Sequence, residues 1–449
     1  MTIPVMGQNF LACDRDQVML LPPDLRDWLP AGHLARFVIE TVEQLDLEPI
    51  YGYYRADGRG RPAHDPAMMV ALLLYCYAVG VRSSRAIERR CVEDVACRVI
   101  TANRQPDHAT IARFRVRHEA ALSALFFALL ALCRQAGMVK VGTVAVDSTK
   151  LAANASADQN RTLAGLEEEA RRILKEAGET DAREDELYGD RRGDELPEDL
   201  ADPETRAARI RELLEAAQAQ AAQAEAARRE IQQRNAEHQV RTGKQASGRP
   251  PRPGLSTRQR ERIATQKYNL TDPDSGVVRH RGMLFQGYNV QTAVADGQVI
   301  LATRVNGLSP DSGQLAPTIA AAEENLSRVG ITEAITEVLA DSGYWNARQI
   351  SALKARGKRV LIPPALRQKR GRQTHPEVHA MHTALARPEN QTAYKRRQQI
   401  VEPVYAHIKH HRGITRVLRR GKQAVQAEID LIATTHNLLK LYRHSIPAS

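Results

Sequence analysis

The stretch "VGTVAVDSTKLAANAS" (residues 141–156) decides the fold. Val141, Val144 and Val146 form an apolar, β-branched run of the kind that makes a central strand. The run turns polar at Asp147, where the strand is expected to end. A second run, "AITEVLADSGYW" (334–345), ends in the same way at Asp341. Each aspartate closes a short apolar run and is followed by a serine. If the two strands lie side by side in one sheet, Asp147 and Asp341 project at the same edge as two hard oxygen ligands suited to Mg2+. An aspartate at a strand end can also do no more than cap the next turn. A third acid is needed to separate the two readings.

That acid is found in "AYKRRQQIVEPVYAHIKHHRGITRVLRRGKQ" (393–423). Glu402 precedes Pro403, and proline favours the first position of a helix, so Glu402 is expected at a helix start where the dipole favours an ionised carboxylate. Lys409 follows seven residues on, two turns along the same face. Glu402 stands among Lys395, Arg396, Arg397, Lys409 and Arg412, and a lone carboxylate in a basic channel suits a metal site that meets phosphates. His407, His410 and His411 are spaced as neighbours on one helix face and read as solvated or phosphate-facing rather than as a transition-metal set.

Charge distribution supports a polyanionic partner. From 351 to 449 there are 20 Lys/Arg against 5 Asp/Glu, a balance of +15 in a chain whose total is +11. Such a field points to nucleic acid. With aromatic residues at only 4%, duplex DNA held by its phosphates fits better than stacked single strands.

At 449 residues the chain exceeds one hydrophobic core, and two or three domains are expected. Residues 1–140 read as helical. Within them two short helices precede a longer one, starting after Asp107 and carrying Arg113, Arg115 and Arg117, an order that resembles a helix-turn-helix. Residues 141–449 read as a mixed α/β domain, with a hairpin at Ala295-Asp296-Gly297 and a third strand at "RVLIPP" (359–364). Residues 152–265 read as an insertion, partly helical and partly mobile: an acidic tract, a long Ala/Glu/Gln/Arg helix over 204–238, and a Gly/Pro/Ser linker over 242–256. The closing amphipathic run, 427–444, is expected to pack on the sheet.

The longest apolar runs, 67–81 and 120–133, are shorter than the roughly 20 residues a membrane span needs. The charged start, Asp14-Arg15-Asp16, argues against a secretory signal, and a cytoplasmic location is expected. The five cysteines lack metal-ligand spacing and read as small core residues.

On Asp147, Asp341 and the signature around Glu402, the chain resembles the DDE-class transposases of bacterial insertion sequences, in the group marked by Tyr-(2)-Arg-(3)-Glu-(6)-Lys. Tyr394, Arg397, Glu402 and Lys409 match it, with spacings of 2, 4 and 6. The middle spacing is one residue longer than the pattern, which makes Arg397 the loosest match.

The resemblance implies a ribonuclease H-like catalytic domain with a helical insertion after its first strand, preceded by an all-α DNA-binding domain. It implies two Mg2+ ions, with Mn2+ as a substitute, held by Asp147, Asp341 and Glu402. It also implies DNA contacts from Tyr394, Arg397 and Lys409; Arg412, Arg113, Arg115 and Arg117 are further candidates from charge. The activity implied is cleavage at the terminal inverted repeats followed by 3′-hydroxyl strand transfer, by a homodimer or larger assembly on element ends and target DNA, in a bacterial cytoplasm and on the nucleoid. A nuclease of the same fold that does not join strands, and a catalytically silent DNA-binding regulator, remain open as alternatives.

Overall fold

The computed structural model describes residues 24–54, 62–162, 164–169, 203–242, 257, 261, 264–280, 282–307, 310–364 and 376–446. The charged start of the chain, most of the acidic tract and all but the first residue of the linker lie outside the described residues. The chain divides into two units: residues 1–76 with 83–114, and 77–82 with 115–449.

The first unit is helical. It is built from α1 (Leu34–Glu43), most of α2 (Pro66–Ala78), α3 (Ser84–Glu93), α4 (Val95–Ile100) and most of α5 (His108–Arg117). Its breaks are set by aspartates. Asp94 separates α3 from α4 by accepting the Ala96 and Cys97 amides, and Asp107 caps α5 by accepting the Thr110 amide at 2.6 Å, the role expected from sequence. Val38, Val42, Val70, Leu73, Leu74, Ile87 and Ile111 form the core, with Cys76, Cys91 and Cys97 buried among the small residues. The helix expected to run unbroken from Asp107 to Cys133 stops at His118 and restarts as α6 (Glu119–Gln135). Among the described residues no single helix is long and apolar enough to cross a membrane.

The second unit is organised by one sheet. Its strands are β1 (Lys140–Ala152), β4 (Gly276–His280), β5 (Met283–Asp296), β6 (Ile300–Asn306), β7 (Glu337–Ala340) and β8 (Arg359–Leu361), while β2 (Asn160–Thr162) and β3 (Lys267–Asn269) pair separately. The order is β4-β5-β1-β7-β8, with β6 also on β5. β5 runs antiparallel to β1, β4 and β6, whereas β1, β7 and β8 are mutually parallel. β5 is buried along most of its length, and it approaches β1 closely at Gly287. A Cβ there would meet the Leu151 carbonyl at 2.5 Å. The β5–β6 hairpin turns at Gly297, in the left-handed region at φ 92°, as the Asp-Gly pair predicts.

Helices cover the sheet: α8 (Leu315–Arg328), α9 (Ala347–Ala355), α10 (Pro376–Leu385), α11 (Pro388–Ala406) and α12 (Lys422–Ser445). α12 packs on β6 and α6 as the amphipathic pattern predicts. The Asn437 side chain exchanges two 2.9 Å hydrogen bonds with the backbone of Ile300. Asp430 accepts from Ser123 and Thr303, so its carboxylate is bonded where it is buried.

The insertion follows β1 and passes through the β2–β3 ladder, in which Thr162 faces Lys267. Its long helix, α7, spans Pro203–Thr242. Near the ladder, Leu166, Ile210, Leu213, Tyr268 and Leu270 form a small core of their own. Burying these side chains at roughly 2 kcal/mol each anchors the start of α7.

Candidate active site

β1 does not end at Asp147. It continues to Ala152 against β5, with Asp147 opposite Thr292. What ends there is the parallel pairing, because Val146 faces Ala340, the last residue of β7. Asp147 and Asp341 therefore follow directly from a paired register position on neighbouring parallel strands. Asp341 then turns the chain by accepting the Gly343 amide at 2.9 Å. The capping role and the juxtaposition both hold.

Glu402 reaches this edge differently from expectation. It lies well inside α11, not at a helix start, and Pro403 is an interior proline. Proline has no N–H to give the carbonyl four residues back. That carbonyl, of Gln399, accepts instead from Gln298 Nε2 at 3.1 Å, so the turn of the β5–β6 hairpin repairs the helix and α11 continues. Past Ala406 the chain widens into a π-helical turn, His407–His411. Three contacts hold this segment along the second half of β1: Tyr405 OH donates to the Asp147 carbonyl (2.8 Å), Lys409 Nζ to the Lys150 carbonyl (3.0 Å), and Val417 N to the Ala152 carbonyl (2.8 Å).

The acids meet through Arg397. One guanidinium nitrogen lies 3.0 Å from Asp147 Oδ2 and another 4.0 Å from Glu402 Oε1. Asp147 and Arg397 are largely buried, whereas the Glu402 side chain is 58% exposed. Burial raises the Asp147 carboxyl to about 6. The Ser148 amide and Arg397 pull it down, and the neighbouring charges of Asp341 and Asp311 push it up. Tyr394 lies beside Arg397; burial raises its phenol, and the charges of Asp341 and Asp147 add to the rise.

Sequence reading missed Asp311. It accepts from Asn289 Nδ2 (2.8 Å) and Gln291 Nε2 (2.7 Å) and pairs with Lys150 (3.3 Å). Burial alone would raise its carboxyl, but these donors outweigh burial and hold it below the usual range. Lys150 also donates to Ser148 Oγ and Asn289 Oδ1, and Tyr344 OH donates to Gln291 Oε1. The signal was in the sequence: Asp311-Ser312-Gly313 repeats Asp341-Ser342-Gly343. Asn289 belongs to this network, while Asn154 donates to the Leu418 carbonyl.

Several cation assignments change. Arg412 is 5% exposed. Its guanidinium donates to the carbonyls of Tyr77 and Ile432 and to Thr435 Oγ1, so it is a packing residue and not a phosphate anchor. Burial, with help from Arg82, lowers it to about 9. Arg115 is likewise turned inward, to Tyr77 OH (3.2 Å) and the Arg82 carbonyl (2.8 Å). Arg113 and Arg117 remain exposed. His407 does not face solvent alone: its Nδ1 lies 3.3 Å from Nδ1 of His436, whose Nε2 donates to the Gln298 carbonyl at 3.0 Å.

Among the described residues no group of three His, Cys, Asp or Glu side chains is gathered as a metal site. The donors nevertheless suit a hard divalent cation in kind, being carboxylate oxygens. The raised Asp147 carboxyl records first the cost of burying its charge and then the nearby charges of Asp341 and Asp311, offset in part by the Ser148 amide and Arg397.

Residues 23–117 match a family described as Transposase domain (DUF772), and residues 359–442 match one described as Transposase DDE domain. The second match contains Tyr394, Arg397, Glu402 and Lys409. No curated protein and no solved structure matches the chain.

Proposed function

The chain belongs to the DDE-class transposases of insertion sequences, and from that premise we propose that it binds the terminal inverted repeats of its element, cleaves DNA there and joins the freed 3′-hydroxyl to a target. One observation carries this reading. The parallel pairing of β1 with β7 sets Asp147 and Asp341 directly after the same paired register position, Val146 opposite Ala340, and Arg397 ties Asp147 to Glu402 across the same edge. The strand order supports a ribonuclease H-like catalytic fold, with β5 as the antiparallel member between β6 and β1, and with β7 and β8 beyond.

Asp147, Asp341 and Glu402 are the residues that would hold Mg2+, or Mn2+ in its place, as a pair of ions. Ions bound there would supply Lewis-acid stabilisation of the charge that builds on the scissile phosphate. The protein's own part is positional. Arg397 holds Asp147 and Glu402 in register and balances their charge. Tyr394 and Arg397 bring a phenol and a guanidinium to the edge where a phosphate would lie, and Lys409 braces β1 behind it. The exposed Arg113 and Arg117 supply duplex contacts in the helical N-terminal region, and bringing two element ends together calls for at least a dimer on DNA.

The test is an assay with duplexes that carry the inverted repeats flanking the gene, a target plasmid and Mg2+. Nicked ends together with joined products support the reading. Cleavage without joining leaves a nuclease, and binding without cleavage leaves a regulator.

A further inference from the structure

Beyond Glu402, on the next turns of the same segment, lies a cleft lined by Gln298, Pro403, His407, His411, Lys440 and Arg443, with His436 at its floor. Among the described residues no carboxylate lines it. Burial lowers His407 to about 4, and the charged groups that push it further in that direction, Arg412, Arg443, His411 and Lys440, are all cationic or become so on protonation. Lys440 is lowered by burial and by Arg443, and it makes a 3.3 Å bond to the neutral Gln298 Oε1. Like charges crowded without a counter-ion destabilise one another.

The C-terminal dipole of α12 accounts for part of this, since Arg443 lies in the last turn, where cations are favoured. It does not account for the histidines brought in from the π-helical turn after α11. Two separate elements thus present nitrogen donors and cations to one opening, and that opening begins at the residue following Glu402.

We propose that this cleft is a phosphate subsite, which seats a backbone phosphate of the DNA strand that runs past Glu402. The inference rests on the DNA-processing reading above and names a further contact of that same surface. Lys440 and Arg443 neutralise the phosphate, and His411 donates to its oxygens.

The test uses the full chain and a short fluorescent duplex of arbitrary sequence, titrated over a salt series, with wild-type cleavage measured alongside. Each phosphate contact contributes a slope of about 0.9 to log K against log salt. K440Q/R443Q is therefore expected to lose about 1.8 of the wild-type slope and roughly tenfold in affinity at moderate salt. R443E, at an exposed position where folding is not at stake, is expected to weaken binding on its own. Wild-type affinity and slope in both variants, with cleavage intact, overturn the subsite alone. A wild-type chain that neither binds nor cleaves overturns the subsite and the reading it rests on.

Discussion

Arg397 donates to Asp147 at 3.0 Å although 250 residues separate them. The pair closes the site, because Asp147 comes from the first strand of the sheet and Arg397 from the helix that carries Glu402. A buried pair broken from one side leaves a buried charge without a partner, at a cost of about 3–5 kcal/mol. Arg397→Ala is accordingly expected to raise the Asp147 carboxyl further, move the alkaline-going limb of the cleavage pH profile upward and lower the thermal midpoint. Arg397→Lys restores the charge but not the span to Glu402, and should recover stability more fully than activity. Cleavage rates from pH 5 to 9, with melting curves for both variants, check this.

Asp147 makes stability depend on pH in a defined direction. Its folded value, about 6, lies above its ordinary 3.8. Between those values the folded chain keeps a proton that the unfolded chain has lost, so stability falls as pH rises through that window and levels off above it. The full difference is about 3 kcal/mol. Asp147→Asn lacks this penalty, and its thermal midpoint is expected to gain on the wild type by several degrees between pH 4 and pH 7 while cleavage is lost. A constant difference across that range would show that Asp147 ionises normally.

Arg412 separates packing from DNA binding. Truncation to Ala removes the guanidinium's bonds to the Tyr77 and Ile432 carbonyls and to Thr435 Oγ1 and leaves a void, a loss of about 3 kcal/mol or more. The expected phenotype is a lower melting temperature with unchanged affinity and salt slope for the molecules that remain folded. Calorimetry and a salt titration on the same preparation check both halves.

The small core beside β2 and β3 is expected to unfold on its own. Leu213→Ala should cost about 2–3 kcal/mol, yet Leu213 packs with Leu166, Ile210, Tyr268 and Leu270 and not with the main sheet. Faster proteolysis within α7, with the melting of the sheet unchanged, is the expected result of limited digestion.

Much of this site could be read from the sequence because short apolar runs ending in aspartate specify both strand and edge. That reasoning brought out Asp147 and Asp341, and the signature brought out Tyr394, Arg397, Glu402 and Lys409. It failed where a long-range partner overrode a local rule. Pro403 marks a helix start by propensity, but Gln298 donates from outside to the Gln399 carbonyl that the proline leaves unpaired, and α11 runs through it. β1 turns polar at Asp147, but β5 keeps pairing with it for five more residues. Arg412 and Arg115 resemble surface cations in composition, and only their acceptors, contributed by distant segments, reveal Arg412 as buried and Arg115 as turned inward. Asp311 sits outside any strand and gave no periodic signal, only its repeated tripeptide.

The β2–β3 ladder has one more consequence. Thr162 and Lys267 face each other across two short strands, so the chain leaves this ladder and returns to it about one strand spacing, roughly 5 Å, apart. The ladder fixes the two ends of the intervening chain, and a change in the length of that chain adds closure entropy only logarithmically. The position is a natural graft point: another module with closely spaced termini could be carried there without re-registering β1 against β5, and the acids at the sheet edge would keep their places.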